Sequence, residues 1–284
     1  MKEADRLMQS AVVTASIHVH SFLAETGEYN KSPHFHPRNQ AKVRSILEGL
    51  VGSSPAPRAG LKGIDFGCGT GFIVHLVHDL LAETHGVDVT DEMMKQVDVS
   101  SGKVFLHTSL AEATPFPDDT FDFAFAYSFM DHLNDYEAFL REAFRVLKPG
   151  GVLYSDLNPN REFFRAVEKN EGEASSSRFL AAEVEGALRN GQLYGRRYGI
   201  SPEMLEKAEP VKTVELGFDA DILIRSCKEA GFSAAKVEHD WFLGEGEYSN
   251  DRPSGEAETV EGYLREILPL SAHLFKYLRL LAWK

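Results

Sequence analysis

Cysteine is nearly absent from this 284-residue sequence: Cys68 and Cys227 are the only two. Two cysteines cannot build a disulfide framework, and a chain of this length needs none to hold a core. No apolar run approaches the roughly 18 residues of a membrane span, so a membrane is not an expected partner. Positive charge is in deficit as well, with 30 basic against 43 acidic residues and a net of −13. Such a surface repels phosphates and anionic headgroups, which argues against nucleic acid and membrane alike. There is no internal repeat, and the one low-complexity tract is Ser175, Ser176 and Ser177. The opening MKEADRLMQS mixes acids into the place where a secretory leader is basic, so a cytoplasmic protein is expected. What remains, 43% apolar and 26% charged residues, is the composition of a soluble globular protein.

Two Gly/Pro/Ser-rich stretches, 52–60 and 249–255, punctuate the chain. Between residue 60 and about 158 strands and helices alternate, the pattern of a parallel sheet with crossover helices. Strands are expected at 61–66, 85–89, 103–107, 121–127 and 152–156. A helix from about Gly71 carries Phe72, Ile73, Leu76, Val77, Leu80 and Leu81 on one stripe. A second helix is capped by Asn134 or Asp135, buries Tyr136, Phe139, Leu140, Ala143, Phe144 and Leu147, and stops at Lys148-Pro149-Gly150-Gly151. Residues 159–215 are polar with helical patches and read as an insertion over the sheet edge. Asp219 then caps a helix ending at Gly231, and 233–241 is a sixth strand. Periodicity leaves 273–283 open between a closing strand and a helix.

The chemistry concentrates in Gly63-Ile64-Asp65-Phe66-Gly67-Cys68-Gly69-Thr70-Gly71. A glycine turn between strand and helix lets backbone approach a ligand, since no Cβ intervenes. Asp88 closes the second strand 21 residues after Gly67, where a carboxylate in a doubly wound sheet faces ribose hydroxyls. Together they point to a nucleoside-containing cofactor. A dinucleotide fingerprint needs a third glycine at position 72, which is Phe72, so a nicotinamide cofactor is disfavoured.

The glycines at 67, 69 and 71 with Asp65 before them resemble the first motif of class I S-adenosylmethionine-dependent methyltransferases. The likeness continues through Pro115-Phe116-Pro117-Asp118-Asp119-Thr120-Phe121-Asp122, Ser128-Phe129-Met130-Asp131-His132-Leu133, Glu142 and Arg145-Val146-Leu147-Lys148-Pro149-Gly150-Gly151. This order is similar to the ubiquinone/menaquinone-type small-molecule branch, over just more than a third of the chain. The resemblance implies an α/β, Rossmann-like seven-stranded sheet with an N-terminal helical lid (1–50) and a cofactor-binding core (60–157). An inserted helical cap (158–218) and a C-terminal part of the core (219–284) would complete it. It implies S-adenosyl-L-methionine as cofactor. Asp65 and Gly67, Cys68, Gly69 and Gly71 would hold the methionine moiety and Asp88 the ribose. Val89 and Met93 would lie against adenine or sugar, Leu110 and Ala111 along the adenine, and Tyr127 and Ser128 on the floor. Where the family places an aspartate before the position of Ala111, this chain has Ser109 and Leu110. Glu112 or a backbone carbonyl is left to meet the adenine amino group.

Methyl transfer from a sulfonium needs mainly in-line positioning, worth about 7–11 kcal/mol, and a base only when the acceptor must lose a proton. His132 stands where the family often has a histidine facing the acceptor, and it is the candidate base. The alternative is a loop histidine bonded to backbone. Asp131 beside it would orient the ring or cap the turn. Tyr29 and His36, and Tyr194 and Arg197 in Tyr194-Gly195-Arg196-Arg197-Tyr198, are candidate contacts to a small-molecule acceptor. The pairs His18/His20 and His34/His36 invite a metal reading, but nothing nearby completes a ligand set, so no metal is expected. The expected function is methyl transfer to an O, N or C atom of a small molecule; the alternative is a non-catalytic binder of the same cofactor or of a partner. The acceptor and the oligomeric state are not legible.

Overall fold

The computed structural model describes residues 10–246 and 255–284. Its strands are β1 (Lys62–Phe66), β2 (Glu83–Asp88), β3 (Val104–Thr108), β4 (Phe121–Tyr127), β5 (Leu147–Pro159), β6 (Ala234–Phe242) and β7 (Phe275–Trp283). They form one seven-stranded sheet in the order β3-β2-β1-β4-β5-β7-β6. Neighbours from β3 to β5 are parallel, and β7 runs antiparallel between β5 and β6. This is the expected α/β, Rossmann-like architecture.

The helices are α1 (Ala11–Glu25), α2 (Pro37–Gly52), α3 (Phe72–Val77), α4 (Asp91–Met94), α5 (Tyr136–Val146), α6 (Arg161–Lys169), α7 (Arg178–Glu183), α8 (Asn190–Tyr198), α9 (Pro202–Ala208), α10 (Pro210–Thr213), α11 (Ala220–Ala230) and α12 (Glu256–Glu266). The period of two in β4 assigns its faces. Phe123, Phe125 and Tyr127 pack with Val43, Leu47 and Val51 of α2 and Ile73 and Val77 of α3. Ala124 and Ala126, on the other face, pack with Phe139, Leu140 and Ala143 of α5 and Leu223 and Cys227 of α11. The caps fall as expected: Asp135 accepts the Ala138 N–H at 2.8 Å, and Asp219 accepts those of Asp221 and Ile222.

Two readings change and an open one is settled. The helix after Gly71 stops at Val77; Leu80 and Leu81 are buried, but from a turn. Arg44 explains the stop, because its guanidinium takes the Leu76 carbonyl at 2.6 Å and the Asp79 carboxylate at 2.5 Å. That satisfies a terminal carbonyl which another helical turn would have used. Residues 275–283 are a strand: both neighbours pair with it, and Leu278, Leu280, Leu281 and Ala282 are all buried, so no one-sided period shows in the sequence. Residues 159–215 hold more helix than their composition suggests, from α6 through α10. Their α9 buries Leu205 and Ala208, with Ile200 before it, against Ala15, Val19 and Leu23 of α1. Most of the second Gly/Pro/Ser-rich stretch, 249–254, lies outside the described residues.

Candidate active site

The ends of β1, β2 and β4 meet at the glycine turn. Gly67 and Gly69 have φ of +65° and +51°, a region that side chains with a Cβ rarely adopt. A Cβ on Gly67 would stand 1.9 Å from the Phe129 ring, and one on Gly69 3.0 Å from Met93 Cε and 3.6 Å from the Tyr29 hydroxyl. The turn is thus packed beneath and roofed by the N-terminal segment. Asp88 is fixed from both sides: Oδ2 accepts the Gly69 N–H at 2.9 Å, and Oδ1 the Thr90 N–H at 2.8 Å. Each oxygen keeps a lone pair for a ligand. Burial pushes this carboxyl above its usual range, against the pull of the two amides.

Asp65 is the outlier in the electrostatics. It is 2% exposed, its Oδ1 has no hydrogen-bond partner among the described residues, and burial with Asp88 nearby raises its carboxyl well above the ordinary value. A buried carboxylate without a partner is costly unless a cation meets it. An α-ammonium group beside the glycine turn is a cation of the right kind, so the residues present fit the methionine end of S-adenosylmethionine.

Two adjoining cavities open here. The first is bordered by Gly67, Gly69, Asp88, Val89, Met93, Leu110, Ala111, Glu112 and Ser128, under Val12, Val13, Ser16 and His20 of α1. The second, about 440 Å³, is bordered by Asp65, Gly67, Cys68, Tyr127 and Ser128 on the sheet side. Its far wall includes Tyr29, His34, Tyr194, Arg197, Glu209 and Lys212. Two predicted residues stand elsewhere. Gly71 is the left-handed N-cap of α3, facing Val97 and His75, because the turn has already become helix there. His36 caps α2 by accepting the Arg38 N–H at 3.3 Å and borders a separate cavity with Trp241 and Glu245. Cys68 turns its thiol into a small core with Val74, Met94, Val97 and Val104. In the departure from the family pattern, Ser109 Oγ is engaged with the Leu110 and Ala113 carbonyls, and Glu112 borders the first cavity.

His132 borders both cavities. Its Nδ1 lies 3.1 Å from the Ala208 carbonyl, which only accepts, so Nδ1 carries the hydrogen and the neutral ring has its lone pair on Nε2. Nε2 is 3.7 Å from Asp131 Oδ1, a buried oxygen without a hydrogen-bond partner among the described residues. Sequence reasoning did not single out the neighbours that complete this corner. His20 packs edge-to-face on His132 with centroids 4.9 Å apart and donates Nδ1–H to the Ser16 carbonyl at 2.8 Å. Burial, then the adjacent His132, hold the His20 imidazole down at about 4. Glu209 and Lys212 pair at 2.6 Å on the second cavity's far wall. A His-x-His spacing flagged His20 and His34, but only for metal; His132, against His20, and Trp241 and Tyr277, against His34, come from segments more than a hundred residues away.

The methyltransferase-domain family matches residues 64–155. The chain is 28% identical over 192 residues to the mitochondrial ubiquinone biosynthesis O-methyltransferase of Mus musculus, covering 63% of this chain and 49% of that one. Against the Rhizobium etli ubiquinone biosynthesis O-methyltransferase it is 24% identical over 198 residues, 67% of this chain and 76% of that one. It spans about half the length of the mitochondrial relatives it matches. Among solved structures, an S-adenosylmethionine-dependent methyltransferase from Thermotoga maritima superposes with a TM-score of 0.54 at 20% identity, covering 94% of this chain and 99% of that one. One from Archaeoglobus fulgidus gives 0.53 at 17% identity, covering 86% and 94%; both are likenesses of fold. With the motif order, the sheet and the glycine turn in agreement, residues 64–155 form a methyltransferase domain of the S-adenosylmethionine-dependent class, similar to that of the ubiquinone biosynthesis enzymes.

Proposed function

We propose that the protein transfers a methyl group from S-adenosylmethionine to an O, N or C atom of a small molecule held in the second cavity. The observation that carries this is Asp65, a buried carboxylate with an unpartnered oxygen, across the glycine turn from the doubly anchored Asp88. S-adenosylmethionine, when bound, supplies a methyl group already activated on a sulfonium. Asp65 would take its ammonium group, Asp88 its ribose hydroxyls, and Val89, Met93, Leu110 and Ala111 its adenosine. Tyr127 and Ser128 form the floor, with Tyr194 and Arg197 toward the acceptor. In this reading the segments 1–50 and 158–218 act as lid and cap over the core.

For a hydroxyl acceptor, the O–H bond breaks toward His132 Nε2, the ring nitrogen that the Ala208 carbonyl leaves free. Asp131 Oδ1 then faces the new N–H, so the imidazolium forms beside a carboxyl group. His132→Ala should lower turnover of a phenolic acceptor about 10²–10⁴-fold and leave donor affinity unchanged. Transfer of label from methyl-labelled donor to a panel of phenols and amines measures both the activity and this effect. Label reaching no acceptor, with donor bound normally, would favour a cofactor-binding protein instead.

Asp65 also predicts a pH dependence. The ammonium group binds the charged carboxylate, whose protonation burial favours in the free protein. Affinity is therefore full above the elevated value and is lost as pH falls through it. Calorimetry between pH 5 and 8, in buffers of different ionisation enthalpy, should show protons released on binding. Proton uptake would contradict the assignment.

A further inference from the structure

Five residues border both cavities: His20, Tyr29, Gly67, Ser128 and His132. They form the neck between the Asp88 side and the Asp65 side. Sulfur joins the ribose to the amino-acid chain in S-adenosylmethionine, so a donor held at both carboxylates brings its sulfur to this neck. The inference below rests on that placement. Tyr29 is the phenol in the neck, and its hydroxyl lies 3.6 Å from where a Cβ of Gly69 would stand. Its ring is edge-on to Phe35 at 5.5 Å and to His20 at 6.1 Å. Burial, then Asp88, Asp131 and Asp65 in turn, keep the phenol protonated, so its oxygen is a neutral acceptor among three carboxyl groups. His20, the imidazole beside it, also stays neutral at ordinary pH.

We propose that Tyr29 is a specificity residue for the charge on sulfur, favouring the sulfonium donor over the neutral thioether product. The phenol oxygen offers lone pairs to the polarised C–H groups around a sulfonium, and the ring offers a π face. Both interactions weaken once the methyl group has left and sulfur is neutral. Product would then leave the neck more readily than donor.

Calorimetry with S-adenosylmethionine and S-adenosylhomocysteine tests this without any acceptor. Tyr29→Phe keeps the ring and loses the oxygen; donor affinity should fall about fivefold and product affinity less than twofold. Tyr29→Leu removes the π face as well and should lower donor affinity about twentyfold, again with product little changed. Equal losses for the two ligands, or an unchanged ratio in both variants, would overturn the inference. Asp88→Ala separates it from the placement beneath it. If that variant binds both ligands normally, the donor lies elsewhere and the role of Tyr29 falls with it. If it loses both while the Tyr29 variants lose neither, only the inference falls.

Discussion

Asp88→Ala should weaken S-adenosylmethionine binding about a hundredfold or more. Two charge-assisted hydrogen bonds to ribose, each worth about 1.5–3 kcal/mol, disappear together. The loss is compounded locally, because the same carboxylate holds the Gly69 and Thr90 N–H groups and so sets the shape of the glycine turn. Stability should move little, or rise, since burial disfavours the charged form of this carboxyl in the free protein. That contrast separates a binding defect from a folding defect. Calorimetry gives the affinity and urea denaturation the stability; normal binding by a folded variant would place the nucleoside elsewhere.

Arg279→Met should cost about 3–5 kcal/mol of folding stability at neutral pH. The Arg279 side chain is 4% exposed and lies between two carboxylates that are each 1% exposed. Its Nε meets Asp156 Oδ2 at 2.8 Å, and its Nη2 meets Asp240 Oδ2. Lys42 binds the other oxygen of Asp240 at 2.6 Å, and the Tyr154 hydroxyl donates to Asp156 at 2.6 Å. Methionine fills the space but leaves the carboxylates buried with too little positive charge. Adding Asp156→Asn and Asp240→Asn should recover most of the loss, because neutral amides do not need the cation. Urea midpoints for the three proteins test this; a single variant as stable as the parent would show that Lys42 and Arg265, whose Nη2 lies 3.4 Å from Asp240 Oδ1, neutralise the cluster.

Local signals made the fold legible. The alternation in β4, the Asp135 and Asp219 caps and the glycine turn each depend on neighbours a few residues apart, and each stands where the sequence places it. Legibility ended where long-range contacts decide. In β7 Leu278, Leu280 and Ala282 pack into the core on one face of the sheet, and Leu281, Tyr277 and Trp283 into the core on the other, which blurs the period that separates strand from helix. The Arg44 contact that ends α3 crosses more than thirty residues. His36 reads as an acceptor contact of an N-terminal lid, yet it caps α2 and borders a separate cavity. The far wall of the second cavity was the least readable part. Glu209, Lys212 and the Ala208 carbonyl reach the site on helices whose polar composition resembles a solvated loop.

The packing of α1 on α9 has a consequence for altering selectivity. Apart from the α1 roof and Tyr29, the residues around the glycine turn lie in one stretch of sequence, from Asp65 to His132, whereas the far wall of the second cavity is shared by two segments more than 150 residues apart. Ala15, Val19 and Leu23 are locked against Ile200, Leu205 and Ala208 in a small core that is separate from the two against the sheet. A bulkier or smaller residue on one side changes where the other sits, and with it His20 and the Ala208 carbonyl that holds His132. Exchanging residues 190–213 alone would therefore import a wall without its matching partner. A chimera that carries residues 11–25 along with it keeps the seam intact, and it is the smaller of the two perturbations although it replaces more of the chain.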